Sequence, residues 1–138
     1  MSCVFCSIIT GDVAAEIVHS DEISVGFLDF RPLFEGHTLL VPREHHEALW
    51  DLPPELVEPF FARVQALSAQ IRDAMDAKGT FVAMNNIVSQ SVPHLHAHVV
   101  PRNPKDGLRG FFWPRMKYES GERMAAVGAL IRQRTEAG

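Results

Sequence analysis

From His94 to Val99 the chain alternates imidazole and apolar side chains, His94-Leu95-His96-Ala97-His98-Val99. A period of two fits an extended strand, in which successive side chains point to opposite faces. Leu95, Ala97 and Val99 then pack on a core, and His94, His96 and His98 share the other face. Imidazole serves as nucleophile, acid, base or metal ligand near neutral pH, so three in register mark a candidate site. The competing reading is three solvated histidines on an exposed strand face.

The elements around this strand define the fold class. Cys3 to Thr10 reads as a short helix ended by Gly11. Glu16–His19 and Ile23–Asp29 read as a strand pair around Ser20-Asp21-Glu22, and His37–Val41 as a third strand stopped by Pro42. Leu56, Phe60, Val64, Leu67, Ile71 and Met75 recur at spacings of three and four, the stripe of one long amphipathic helix. Asp51 is its expected N-cap, Pro53 and Pro54 suit its start, and Gly79 its C-cap. Thr80–Asn85 and Leu95–Val100 read as two more strands, residues 103–117 as a loop, and 119–134 as a C-terminal helix using Met124, Val127 and Ile131. Five strands around one long helix predict an α+β domain with a mostly antiparallel sheet. At 138 residues with no repeat or linker, one domain over 1–138 is expected.

Composition narrows the partners. A net charge of −4 argues against a dedicated nucleic-acid binder. The first 25 residues hold no long apolar run and no 18-residue apolar run occurs anywhere, so neither a signal peptide nor a membrane span is expected and the chain reads as cytoplasmic. One local excess runs the other way. Arg102, Lys105, Arg109, Arg115 and Lys117 face Asp106 alone, a segment suited either to attracting phosphate or to solvation as a loop.

Both cysteines lie in Cys3-Val4-Phe5-Cys6. A redox pair should follow a strand, and none precedes this one. Two uninvolved thiols, or half of a tetrahedral zinc site, remain open. All three triad histidines cannot share one ion on a straight strand, since ~3.3 Å per residue puts His94 and His98 about 13 Å apart.

Taken together, Gln90-Ser91-Val92-Pro93-His94-Leu95-His96-Ala97-His98, Leu28-Asp29-Phe30-Arg31-Pro32, Gly36-His37-Thr38-Leu39-Leu40-Val41-Pro42 and the Cys3/Cys6 pair resemble the histidine-triad (HIT) nucleotide hydrolases and transferases. The resemblance covers roughly residues 3 to 102, in the family's order, and points to the branch containing Cys-x-x-Cys. It implies a two-layer HIT-like domain, usually a homodimer, and a structural zinc on Cys3, Cys6, His45 and His94, with His46 the substitute for His45. It implies a purine nucleotide or dinucleotide substrate, with His96 as nucleophile, His98 organising the phosphoryl group, and Ser91 and Gln90 on the phosphate and leaving group. Asp29 falls where the family binds the ribose hydroxyls, and Phe5, Ile8, Phe27, Leu28 and Phe30 where it lines the base pocket. His37 matches a histidine beside the triad. An asparagine is also implied at the phosphate, Asn85 or Asn86.

The implied chemistry is physically sound. A neutral imidazole attacks phosphorus without a further base, and its other ring nitrogen needs an acceptor, expected to be a main-chain carbonyl. Two departures stand out. The run Asn85-Asn86-Ile87-Val88-Ser89-Gln90 is shorter than in many relatives and lacks glycine, and Gly110-Phe111-Phe112-Trp113-Pro114-Arg115 resembles a family tail but precedes a further helix. The expected activity is hydrolysis of a dinucleoside polyphosphate or a nucleoside phosphoramidate through a nucleotidyl-histidine, and the basic 102–117 run tilts toward polyphosphates. A nucleotidyltransferase, a regulatory nucleotide-binding module and a hydrolase using the triad as metal ligands are the rivals. His98 weighs against the related uridylyltransferases, which carry glutamine there.

Overall fold

A computed structural model describes residues 3–108 and 115–137. It falls into two compact units, one built on residues up to Asp106 and one from Gly107 onward. The first holds helix α1 (Val4–Thr10), strands β1 (Ile17–Ser20), β2 (Ser24–Leu28) and β3 (Thr38–Pro42), a 3₁₀ turn (Leu49–Asp51), helix α2 (Pro54–Ala74), and strands β4 (Gly79–Ala83) and β5 (Ala97–Arg102). The second holds helix α3 (Gly121–Ala137). Its start is capped by Ser120, whose hydroxyl accepts the Arg123 N–H at 3.0 Å.

The five strands form one sheet in the order β1-β2-β3-β5-β4, antiparallel throughout. This is the α+β architecture with a long helix that the sequence pattern predicts. The alternation along β3 and β5 divides the core in two. Leu40, Leu95, Ala97 and Val99 pack with Phe60, Val64, Leu67 and Ile71 of α2. Leu39 and Val41 pack with Phe5, Val25 and Phe27, under α1.

The ends of α2 differ from expectation. Asp51 closes the 3₁₀ turn, accepting the Ala48 N–H at 3.1 Å, and Pro53 takes the N-cap position. Proline at the first helical position removes one of the unpaired N–H groups of the helix start, and the Leu56 N–H is taken by the Pro53 carbonyl at 2.9 Å. At the other end the helix stops at Met75, and Asp76 adopts the left-handed conformation at φ 51°. Gly79 instead opens β4. Aspartate takes this reversal because its short polar side chain tolerates it.

Strand β5 starts at Ala97, two residues later than the pattern suggests. Its partner β3 ends at Pro42, which has no N–H to continue the ladder. The Pro42 carbonyl takes the His94 ring instead, at 2.9 Å. No helix among the described residues is long and apolar enough to cross a membrane.

Candidate active site

β5 runs between β3 and β4, so His98 lies mid-sheet, and His94 and His96 lead into the strand against Phe5 of α1. His94 and His96 are buried, at 0% and 2% exposure, and His98 is half-buried opposite Leu39 of β3. Each histidine has a different partner.

The Nδ1 of His96 lies 2.7 Å from the His94 carbonyl. A carbonyl only accepts, so Nδ1 carries the proton and the neutral ring keeps its lone pair on Nε2. Burial pushes the His96 pKa down, outweighing that carbonyl and the Asp29 carboxylate, which favour the charged form. The ring is therefore neutral at pH 7. Phe5 meets it edge-to-face, with centroids 5.0 Å apart at 87°.

His98 belongs to a relay. The Leu33 N–H donates to His37 Nδ1 at 3.0 Å, so the proton of neutral His37 sits on Nε2. That Nε2 faces His98 Nδ1 at 3.0 Å and Asp29 Oδ2 at 3.6 Å. His98 Nδ1 then accepts, and its own proton is on Nε2. Burial lowers the His98 pKa to about 4, with the neighbouring His96 and His37 adding to the shift. Asp29 is oriented by the Arg31 N–H on Oδ1 at 2.9 Å.

Two groups of metal-ligating side chains occur among the described residues. In the first, His94 donates Nε2–H to Pro42 and turns the Nδ1 lone pair toward Cys3 Sγ at 3.5 Å, Cys6 Sγ at 3.6 Å and His45 Nδ1 at 3.1 Å. Cys6 Sγ lies 3.4 Å from His45 Nδ1. Tetrahedral zinc bonds of ~2.3 Å to sulfur and ~2.05 Å to nitrogen separate S and N by about 3.6 Å and two N by about 3.3 Å. The four side chains fit that shape with lone pairs inward. The second group, Asp29, His37 and His98, does not fit. The Leu33 N–H occupies the His37 lone pair, so the nitrogen facing the group bears a proton rather than a pair for a metal.

A cavity of about 500 Å³ opens beside the triad. Of the residues expected there, Phe5, Ile8, Phe27, Leu28, Asp29, Phe30, Ser91, His96 and His98 line it. His37 stands behind His98. Asn85, Asn86 and Gln90 are not in its wall. Asn86 Oδ1 accepts the Leu49 N–H at 2.7 Å, and Gln90 bridges the Ile87 N–H at 2.9 Å and the Glu47 carbonyl at 2.6 Å. Without glycine, this loop places Ile87 and Ser89 in the left-handed region, at φ 69° and 62°, and the Gln90 side chain braces it.

Sequence reasoning missed the wall from Val13 to Glu16, an irregular stretch with no periodicity to read. Leu33 was invisible for a similar reason, since its part is played by a backbone N–H. The basic run also looks different. Arg102 is bound by Asp106 through Nε and a second N–H, and Arg109 and most of the tryptophan-containing segment lie outside the described residues.

Known proteins share this sequence pattern and fold. The HIT domain model matches residues 10–105. Adenosine 5'-monophosphoramidase hnt1 of Schizosaccharomyces pombe is 32% identical over 133 residues, covering 95% of this chain and 96% of that protein. A HIT family member from Bacillus subtilis superposes with a TM-score of 0.86 at 31% identity, over 97% of both chains. A Zn-bound histidine triad family protein from Mycobacterium smegmatis gives 0.74 at 37% identity, covering 100% of this chain and 99% of that one. Sequence match, near-complete overlap and shared topology converge, and the chain belongs to the HIT domain family.

Proposed function

We propose that this protein is a nucleotide hydrolase that cleaves a bond to the phosphorus of a nucleoside phosphate derivative through a covalent nucleotidyl-His96 intermediate. One observation carries the reading. The His94 carbonyl holds the proton of His96 on Nδ1, leaving a neutral, buried Nε2 lone pair on a ring that lines the cavity. The relative named as an adenosine monophosphoramidase supports an adenylate substrate at the level of the family.

In the first step the His96 Nε2 pair forms a bond to phosphorus and the bond to the leaving group breaks. The leaving amine or phosphate takes a proton from the Ser91 hydroxyl, while the neutral His98 ring donates a hydrogen bond from Nε2–H to the phosphoryl oxygens. The positive charge left on the His96 ring is met by the His94 carbonyl. Water then attacks the same phosphorus and returns a proton to Ser91, His96 leaves as neutral imidazole, and a nucleoside monophosphate is released. Asp29 accepts hydrogen bonds from the ribose hydroxyls, and Phe5, Ile8, Phe27 and Phe30 pack on the base. A zinc ion held by Cys3, Cys6, His45 and His94 supplies a structural crosslink, since four protein ligands leave no open position.

Asp106 occupies Arg102 and draws that charge away from a polyphosphate leaving group, so an adenosine phosphoramidate is the substrate to assay first. His96→Ala should fold and still bind nucleotide, while turnover falls by about four to six powers of ten. Near-normal turnover in that variant, or a trapped label on another residue, sinks the mechanism. The same reading includes purine preference, a cytoplasmic setting and a homodimer, and light scattering reports the last.

A further inference from the structure

We infer that metal binding at Cys3, Cys6, His45 and His94 and nucleotide binding in the cavity are one coupled equilibrium, transmitted by α1 and by His94. The inference rests on the nucleotide reading of the cavity. α1 has only seven residues, too few for a helix to persist without tertiary support. Among the described residues, the hydrogen-bonding contacts that tie residues 3–15 to the rest of the first unit run from Cys3 and Cys6 to His45 and His94. Otherwise Phe5, Ile8 and Ile9 hold the segment by apolar packing.

That same segment is a wall of the cavity. Val4, Phe5 and Ile8 come from α1, and Val13, Ala14 and Ala15 from the link that follows. Cysteine ligands and pocket residues therefore alternate on one short helix, so fixing the sulfurs fixes the wall. Phe5 extends the connection inward, packing edge-to-face on both Phe27 and His96.

His94 supplies a second route. Its Nδ1 points into the sulfur–nitrogen cluster, its Nε2 is bound to Pro42, and its carbonyl holds the His96 proton. A metal on Nδ1 pins this residue at three points and stiffens the acceptor that sets the His96 tautomer. A nucleoside filling the cavity loads the other side of the same wall. Each ligand thus favours the placement of α1 that the other needs, and linkage requires the two effects to be equal.

The experiment uses the full chain with zinc and AMP as probes. AMP affinity is titrated for zinc-loaded and metal-depleted protein, and zinc affinity is measured by chelator competition with and without saturating AMP, corrected for zinc held by AMP alone. We expect roughly tenfold tighter AMP binding with zinc, and the same factor for zinc with AMP. Phe5→Leu should reduce both factors together while zinc is retained. If AMP binds the zinc-loaded protein but changes zinc affinity less than about twofold, the coupling is refuted; should the metal-depleted chain lose its fold, this zinc arm decides alone. If AMP does not bind the zinc-loaded protein at all, the nucleotide reading fails first and takes the coupling with it.

Discussion

His37 offers a direct way to separate support of the fold from control of the triad. Its ring is 4% exposed and joins two groups, accepting the Leu33 N–H at 3.0 Å and facing His98 Nδ1 at 3.0 Å. His37→Ala leaves both without a partner and opens a ring-sized void. Each unsatisfied group costs about 1–3 kcal/mol, so a loss of roughly 2–6 kcal/mol of stability is expected, read by urea denaturation. The relay makes a further claim. Without the His37 Nε2–H, His98 is free to place its own proton on Nδ1, and Nε2 then ceases to be a donor toward the cavity. Losing one preoriented hydrogen bond to a developing charge costs about 1.4–2.7 kcal/mol, or roughly ten- to a hundredfold in kcat, with KM changed little. His37→Gln should recover part of kcat, because its amide N–H reaches toward His98. The assay is turnover of an adenosine phosphoramidate, with ¹⁵N NMR of the ring nitrogens reporting the His98 tautomer. If His37→Ala is destabilised as expected yet keeps wild-type kcat and tautomer, His37 only supports the fold and the relay argument is wrong.

Three further outcomes are expected. Purified protein should hold about one zinc per chain, and Cys6→Ser should lose it and melt at lower temperature; equal metal content by elemental analysis in both proteins refutes the site. Asp29→Ala should weaken ribonucleotide binding by about 1.5–3 kcal/mol while leaving 2′,3′-dideoxy analogues nearly untouched, and calorimetry showing identical losses assigns Asp29 to the fold alone. Stability should fall as the solution is acidified from about pH 6.5 toward 4. Burial holds His98 near 4 and lowers His96 and His37, so between the two values the unfolded chain binds more protons than the native one. The contribution is present above the unfolded pKa and lost as pH falls toward the folded one, and solvent screening of the half-buried His98 ring keeps its share to about 1–3 kcal/mol. Denaturation midpoints that stay level over that range contradict the buried, neutral assignment.

Much of this protein is written locally. The triad's alternation placed Leu95, Ala97 and Val99 toward the core because a strand has only two faces. The stripe from Phe60 to Ile71 identified α2 because its spacing matches the helical repeat. Cys3 and Gly11 bound α1 as its short pattern indicates, with Gly11 taking φ 89° at the end. The family resemblance, which rests on ordered motifs, supplied the four-residue metal set, and those residues do meet.

Other features exist only once the chain is folded. Asp76 rather than Gly79 reverses the chain after α2, because where a helix ends depends on what the next strand pairs with. Gln90 and Asn86 are polar in sequence and are expected at the phosphate; only the fold shows the Gln90 amide bridging Ile87 and Glu47 and the Asn86 Oδ1 accepting the Leu49 N–H, partners up to 43 positions away. The proton positions on His96, His98 and His37 are decided by the His94 carbonyl and the Leu33 N–H. Every residue carries such backbone groups, so no letter of the sequence distinguishes them. The residue types that do the chemistry are therefore set by the sequence. Their tautomers are set by which backbone groups the tertiary fold brings within hydrogen-bonding distance, and the placement of the helix shared by the four-residue cluster and the cavity by side-chain contacts and packing that only the fold assembles.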